Sequence, residues 1–262
     1  MYKLTEFYLL LKDIAPIELS HAFVEKGAFD NSGIIVENSS TVIKALFCLD
    51  LTFDSVKKAK SLNCDLIVTH HPVIYSPLSS LTFNGENGAL LKAITQKNSI
   101  ISMHLNLDIA PTGIDHCLAS GLNAKNYKIV NKVLGENGYG RECQVEKQTF
   151  SKFIESIKKT FNSKKIIAYG NKKDEIESVC SFCGSGGEEA LEYAVNGGKA
   201  EVIVTSDMKH HQILPCLEMG KKVVVIPHYV AEEYGFRKFY QNIKEKINNQ
   251  VEVFYFDDKR LR

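Results

Sequence analysis

Short, nearly all-apolar runs alternate along this chain with longer mixed segments. KALFCLD at 44–50, CDLIVT at 64–69, SIISMHL at 99–105, AEVIVTS at 200–206 and KKVVVIPH at 221–228 have the pattern of strands buried on both faces. Between them, 55–63, 89–98, 188–198 and 212–220 mix apolar and charged positions over lengths that suit amphipathic helices. The opening stretch, 1–16, reads as one more helix, because Glu6, Lys12 and Asp13 interrupt its apolar residues where an export signal would continue. Gly and Asn cluster at 84–89 and 134–142, which marks insertions or a subdomain junction.

The alternation repeats. Residues 42–108 read strand, helix, strand, His70 and His71, helix, strand, then His104 and Asp108. Residues 178–232 read strand, Gly-rich turn, helix, strand, Asp207 with His210 and His211, helix, strand, then His228 and Glu232. DLIVT answers EVIVT, and each copy ends on a His followed four residues later by an acid. The fold class predicted is α/β, built as a duplicated unit with polar groups at the carboxyl ends of its strands, where α/β sheets bind ligands.

Composition narrows the function without choosing it. With 262 residues, 44% hydrophobic and 24% charged, the chain can bury a sizeable core. Thirty-two basic against 31 acidic residues leave a net charge of +1, which argues against nucleic acid as a partner. No apolar run is long enough for a membrane span, and seven cysteines with no export signal point to reduced thiols in the cytoplasm. Cys180 and Cys183 form a lone C-x-x-C that reads as core, and the other five cysteines read as buried thiols.

The chemistry concentrates in the histidines. Six of eight follow apolar runs directly: His70, His71, His104, His210, His211 and His228. Neutral imidazoles with carboxylates make a donor set for one or two divalent cations, and the i, i+4 spacing of His104 with Asp108 and of His228 with Glu232 brings each pair to one face of a helical turn. Adjacent residues on a strand point to opposite sides, so His70 and His71 serve different ions or face opposite ways unless a turn, which Pro72 favours, intervenes. GSGGEE at 184–189 lacks the Lys-Ser/Thr ending of a phosphate loop and reads as a tight turn. Arg141 and Lys209 are either phosphate contacts or solvated surface charge.

On these residues the chain resembles the GTP cyclohydrolase type 2 homologue family, the Ngg-interacting-factor-three-like dinuclear metal proteins. The likeness runs through DNSGIIV at 30–36, CDLIVTHHPVIY at 64–75, SMHLNLDIAPTGIDHCLA at 102–119, GENGYGRE at 135–142, CGSGGE at 183–188, SDMKHH at 206–211 and IPHYVAEEYG at 226–235. Ser206 stands where the family often has Gly, and Ala231 where it often has Thr. The resemblance implies two intertwined, duplicated α/β subdomains with mixed sheets, expected here as 1–125 plus 226–262 and as 126–225. It implies two divalent ions per chain (Zn, Fe, Mn, Ni or Co) held by His70, His71, Asp108, His228 and Glu232, with Glu232 between the ions and His104 a ligand or a neighbour of one. His104, His210 and Asp207 are the candidate catalytic residues. A toroidal homohexamer and a nucleotide substrate such as GTP, converted to dihydroneopterin triphosphate and formate, follow from the same resemblance. The alternatives are a metal-binding ring that regulates or scaffolds, or a two-metal hydrolase of another substrate such as a phosphoester.

Overall fold

A computed structural model describes residues 2–247 and 250–262. The chain divides into two compact units, Met1–Ala110 with Phe236–Arg260, and Pro111–Gly235 with Leu261–Arg262. Residues 226–235, which carry His228 and Glu232, therefore lie in the second unit.

The first unit opens with a short strand β1 (Tyr2–Lys3), helices α1 (Leu4–Lys12) and α2 (Ile17–Glu25), and strands β2 (Gly33–Val36) and β3 (Thr41–Val42). The repeat read from the sequence follows as β4 (Lys44–Cys48), α3 (Phe53–Ser61), β5 (Leu66–Thr69), α4 (Gly88–Thr95) and β6 (Ser99–Ser102), with a one-turn helix α5 (Leu105–Ile109) behind it. β4, β5 and β6 are parallel neighbours, and β2 lies antiparallel along β6. α3 starts where Thr52 and Ser55 cap each other: Ser55 N–H donates to Thr52 Oγ1 at 3.1 Å and Thr52 N–H to Ser55 Oγ at 2.8 Å. Leu46, Val56, Ala59, Ile67, Leu90 and Ile100 close the core between sheet and helices.

The second unit holds α6 (Ile114–Gly121), a long hairpin β7 (Lys125–Leu134) and β8 (Asn137–Thr149), α7 (Phe150–Thr160), β9 (Ile167–Tyr169), and then the second repeat: β10 (Glu175–Ser181), α8 (Gly187–Val195), β11 (Val202–Thr205), α9 (His210–Glu218) and β12 (Lys222–Val225). β10, β11 and β12 are parallel, and β9 runs antiparallel along β12 as β2 does along β6. Gly135 and Glu136 make the turn of the β7–β8 hairpin, and Asn137, Gly138 and Gly140 lie in the first residues of β8. That pairing is invisible to a periodicity reading, because β7 is largely solvent-exposed and carries a polar residue at most positions.

Helix α10 (His228–Lys246) begins among the residues of the second unit and ends among those of the first, where strand β13 (Glu252–Phe256) pairs in parallel with β4. The architecture is mixed α/β. Among the described residues no helix is long and apolar enough to cross a membrane. All seven cysteines are buried, and burial pushes the Cys64 and Cys143 thiols up to about 12, so they are core and not nucleophiles.

Candidate metal centre

In the first unit, β5 stops at Thr69 and the chain bends at once. The amides of His70 and His71 both donate to Leu49 O, each at 3.1 Å. This turn overrides the strand rule that would send adjacent side chains apart, and the two rings stand 4.9 Å between centroids. His104 follows β6, with its ring 5.3 Å from that of His70 and 5.8 Å from that of His71. One ligand atom from each of the three lies within 4.8 Å of the other two, a group that could hold a metal ion.

Each ring is held by its Nδ1. His70 Nδ1 donates to Met103 O at 2.8 Å, His71 Nδ1 to Asp50 Oδ1 at 2.6 Å, and His104 Nδ1 to Asp30 Oδ1 at 2.8 Å. A neutral imidazole that donates through Nδ1 keeps its lone pair on Nε2, the form a metal needs, and an oxygen behind the ring raises its basicity. Asp108, carried by the helical turn of α5, brings Oδ1 to 3.4 Å from His70 Nε2, and both residues are buried. Burial works to raise the Asp30 carboxyl, but hydrogen bonds from His104, Ser20 and Ser32 hold it below the usual carboxylate range.

In the second unit, His228 begins α10 and Glu232 follows one turn later, with His228 Nε2 2.8 Å from Glu232 Oε2. Again Nδ1 is engaged: it donates to Asp207 Oδ2 at 2.5 Å. Asp207 adopts the left-handed conformation, φ 44°, and also accepts Ser185 Oγ at 3.2 Å. Gly184, at φ 58°, completes this corner, because a Cβ there would stand 2.6 Å from Glu232 Oε1. The Gly-rich segment is thus the tight turn expected, and its glycine leaves room for a carboxylate.

Two sequence expectations need correction. The HH pair at 210–211 is no counterpart of His70 and His71: it sits exposed in the first turn of α9, and the strand-end positions that match 70 and 71 hold Ser206 and Asp207. Arg141 is neither a phosphate contact nor solvated charge. It is buried, 3.1 Å from Asp115 Oδ2, and donates to Gly138 O at 2.9 Å. Lys209 is exposed at the head of α9. Sequence reasoning passed over Asp50 and Asp30. Asp50 had a signal, an acid closing a strand run as the histidines do, whereas Asp30 reaches His104 across 74 residues with no spacing to reveal it.

Residues 2–260 match the family described as Duf34/NIF3 (NGG1p interacting factor 3). The chain belongs to the Duf34/NIF3 family. It is 29% identical over 255 residues to the GTP cyclohydrolase 1 type 2 homolog of Clostridium perfringens, covering 95% of this chain and 94% of the relative. Against the GTP cyclohydrolase 1 type 2 homolog of Methanocaldococcus jannaschii the identity is 30% over 226 residues, covering 85% and 89%. The crystal structure of Staphylococcus aureus protein SA1388 has the same fold, with a TM-score of 0.84 at 22% identity over 100% of this chain and 99% of that one. Within this Duf34/NIF3 member, the imidazole and carboxylate groups form sets that could hold a metal ion.

Proposed function

We propose that this Duf34/NIF3 protein is a metal-dependent hydrolase of the GTP cyclohydrolase type, converting GTP and water to dihydroneopterin triphosphate and formate as a cytoplasmic homohexameric ring. His70, His71 and Asp108 of the first unit and His228 and Glu232 of the second are the proposed ligands of two divalent ions per chain. The observation that carries the reading is the common posture of His70, His71 and His104, each with Nδ1 donating to an oxygen, the arrangement that orients a histidine as a metal ligand. The names of the relatives support the reaction type.

When bound, the ions supply Lewis acidity that makes water a competent nucleophile at neutral pH. The chain's own part is preorganisation. Asp50 and Asp207 keep His71 and His228 in one tautomer, and Gly184 keeps clear the space beside Glu232. His210, exposed at the start of α9, is the proposed proton carrier toward the opening ring, with Asp207 the acid of the same motif.

Chelator-stripped protein reloaded in turn with Zn, Mn, Fe, Co or Ni should bind two ions per chain and release formate from GTP with one of them, with pterin fluorescence rising in step. Glu232→Gln should abolish both products. Two bound ions without turnover of GTP would discard this substrate and leave a phosphoester as the next candidate.

A further inference from the structure

We infer that Phe29 and Tyr75 form an aromatic platform on which the planar base of a nucleotide substrate stacks. The inference rests on the nucleotide-hydrolase reading above and names the side chains that take the heteroaromatic ring. The two rings stand 4.9 Å between centroids at an interplanar angle of 63°, edge to face, yet Phe29 is 49% and Tyr75 55% exposed. An edge-to-face contact covers one face of one ring, so the pair keeps open π-surface. Val73 and Ile74 pack against the core of the first unit, whereas Tyr75, the next residue, stays out in solvent. Single apolar side chains on a surface mean little, but an aromatic pair clustered outside the core marks a place of contact.

The place of the pair is set by the chain. Phe29 precedes Asp30, whose Oδ1 accepts the His104 ring N–H at 2.8 Å, and Tyr75 lies a few residues beyond His71. Asn31 Nδ2 donates to Ile74 O at 2.7 Å and so ties the two segments together beside the rings. Consecutive Cα atoms lie about 3.8 Å apart, so Phe29 stands one residue from the carboxylate that holds His104, a separation a single nucleotide spans. Residues 70–87, between β5 and α4, contain no helix or strand, and a connection of that length in a compact unit is characteristically a binding element. The chemical consequence is selection by shape. Every base has a π-face, so stacking demands a planar ring, orients it, and leaves the choice among bases to other contacts.

The test uses the full, metal-reloaded chain and 2-aminopurine riboside triphosphate, whose fluorescence is quenched on stacking; the chain has no Trp to interfere. Its affinity should fall about 5- to 100-fold in Phe29→Leu and in Tyr75→Leu, which keep apolar bulk and lose the π-face, and Tyr75→Phe should restore most of the loss. The KM for GTP should rise in the same two variants with little change in kcat. Inorganic tripolyphosphate, which has no ring, should bind wild type and variants equally. Wild-type affinity for the probe in both Leu variants overturns the inference and leaves the hydrolase reading intact. An equal loss for probe and tripolyphosphate, or a changed assembly by light scattering, also overturns it, since the pair then shapes the fold or a subunit contact. Quenching without formate release keeps the platform and discards the reaction. If wild type neither quenches the probe nor releases formate from GTP, both fall.

Discussion

The two repeats correspond strand for strand, and their main-chain register aligns them residue by residue. Ala45 opposite Leu66 answers Val179 opposite Val202, and Thr69 opposite Ser102 answers Thr205 opposite Val225. Asp50, His70, His71 and His104 then correspond to Gly184, Ser206, Asp207 and Pro227. Where the first repeat places donors, the second places a glycine, a serine and an acid that supports a histidine from the next helix. Even shared devices diverge. Asp65 accepts the amides of Ile43 and Lys44, as Glu201 accepts those of Glu177 and Ser178. Burial prevails at Asp65 and lifts its carboxyl. At Glu201 burial is outweighed by the amides, the Ser178 hydroxyl and Lys222, and the carboxyl is lowered. A duplicated backbone thus keeps its topology while each position is free to change chemistry.

The hydrophobic face tests this most severely. Phe47 is fully buried against Phe236, Phe239 and Tyr240, and its counterpart is Ser181, whose buried hydroxyl makes no hydrogen bond among the described residues. Phe47→Ala should cost about 3–5 kcal/mol in urea denaturation, whereas Ser181→Ala should be neutral or stabilising by up to about 1 kcal/mol. Equal losses at both would show that the register-based correspondence misstates the two cores.

Next in size is the buried pair peculiar to the second unit. Arg141→Met strands Asp115, which also accepts Cys183 N–H at 3.2 Å, and should cost about 3–5 kcal/mol. Adding Asp115→Leu should recover much of that, and no recovery would mean the guanidinium acts through its bonds to the hairpin carbonyls instead. Gly184→Ala should cost about 1–2 kcal/mol from its left-handed backbone and should also weaken metal uptake through Glu232. Stability lost with metal binding intact would remove Glu232 from the ligand set.

The smallest effect sharpens the comparison through pH. Glu201 has a lowered native pKa, so its contribution is complete above the unfolded value near 4.3 and is lost as pH falls through the native one. Asp65 is raised, so ionising it disfavours the folded state once pH climbs past about 3.9 and through its native value. Urea midpoints from pH 3 to 7 should show the advantage of wild type over Glu201→Gln shrinking toward acid, and that over Asp65→Asn growing.

The strands and helices of both repeats were legible because buried parallel strands are continuous apolar runs, and helices around them are amphipathic. The β7–β8 hairpin was not, since an exposed strand carries no apolar signal. His70, His71, His228 and Glu232 were legible as chemistry, but the HH at 210–211 misled: likeness in letters placed it with 70–71, and the register does not. Asp30 and Gly184 matter through contacts made at long sequence distance, which no local pattern encodes.

The helix ends carry a last difference. After α8 and α9 the chain turns through Gly197 and Gly220 in the left-handed conformation, but after α3 and α4 the same turn is made by Asn63 and Lys97. A lysine there bears a backbone strain that glycine relieves, about 1 kcal/mol. The first repeat therefore holds room for improvement at sites remote from its histidines. An engineer wishing to redesign those histidines, usually at some loss of robustness, could first install glycine at 97 and so widen the range of sequences the scaffold tolerates.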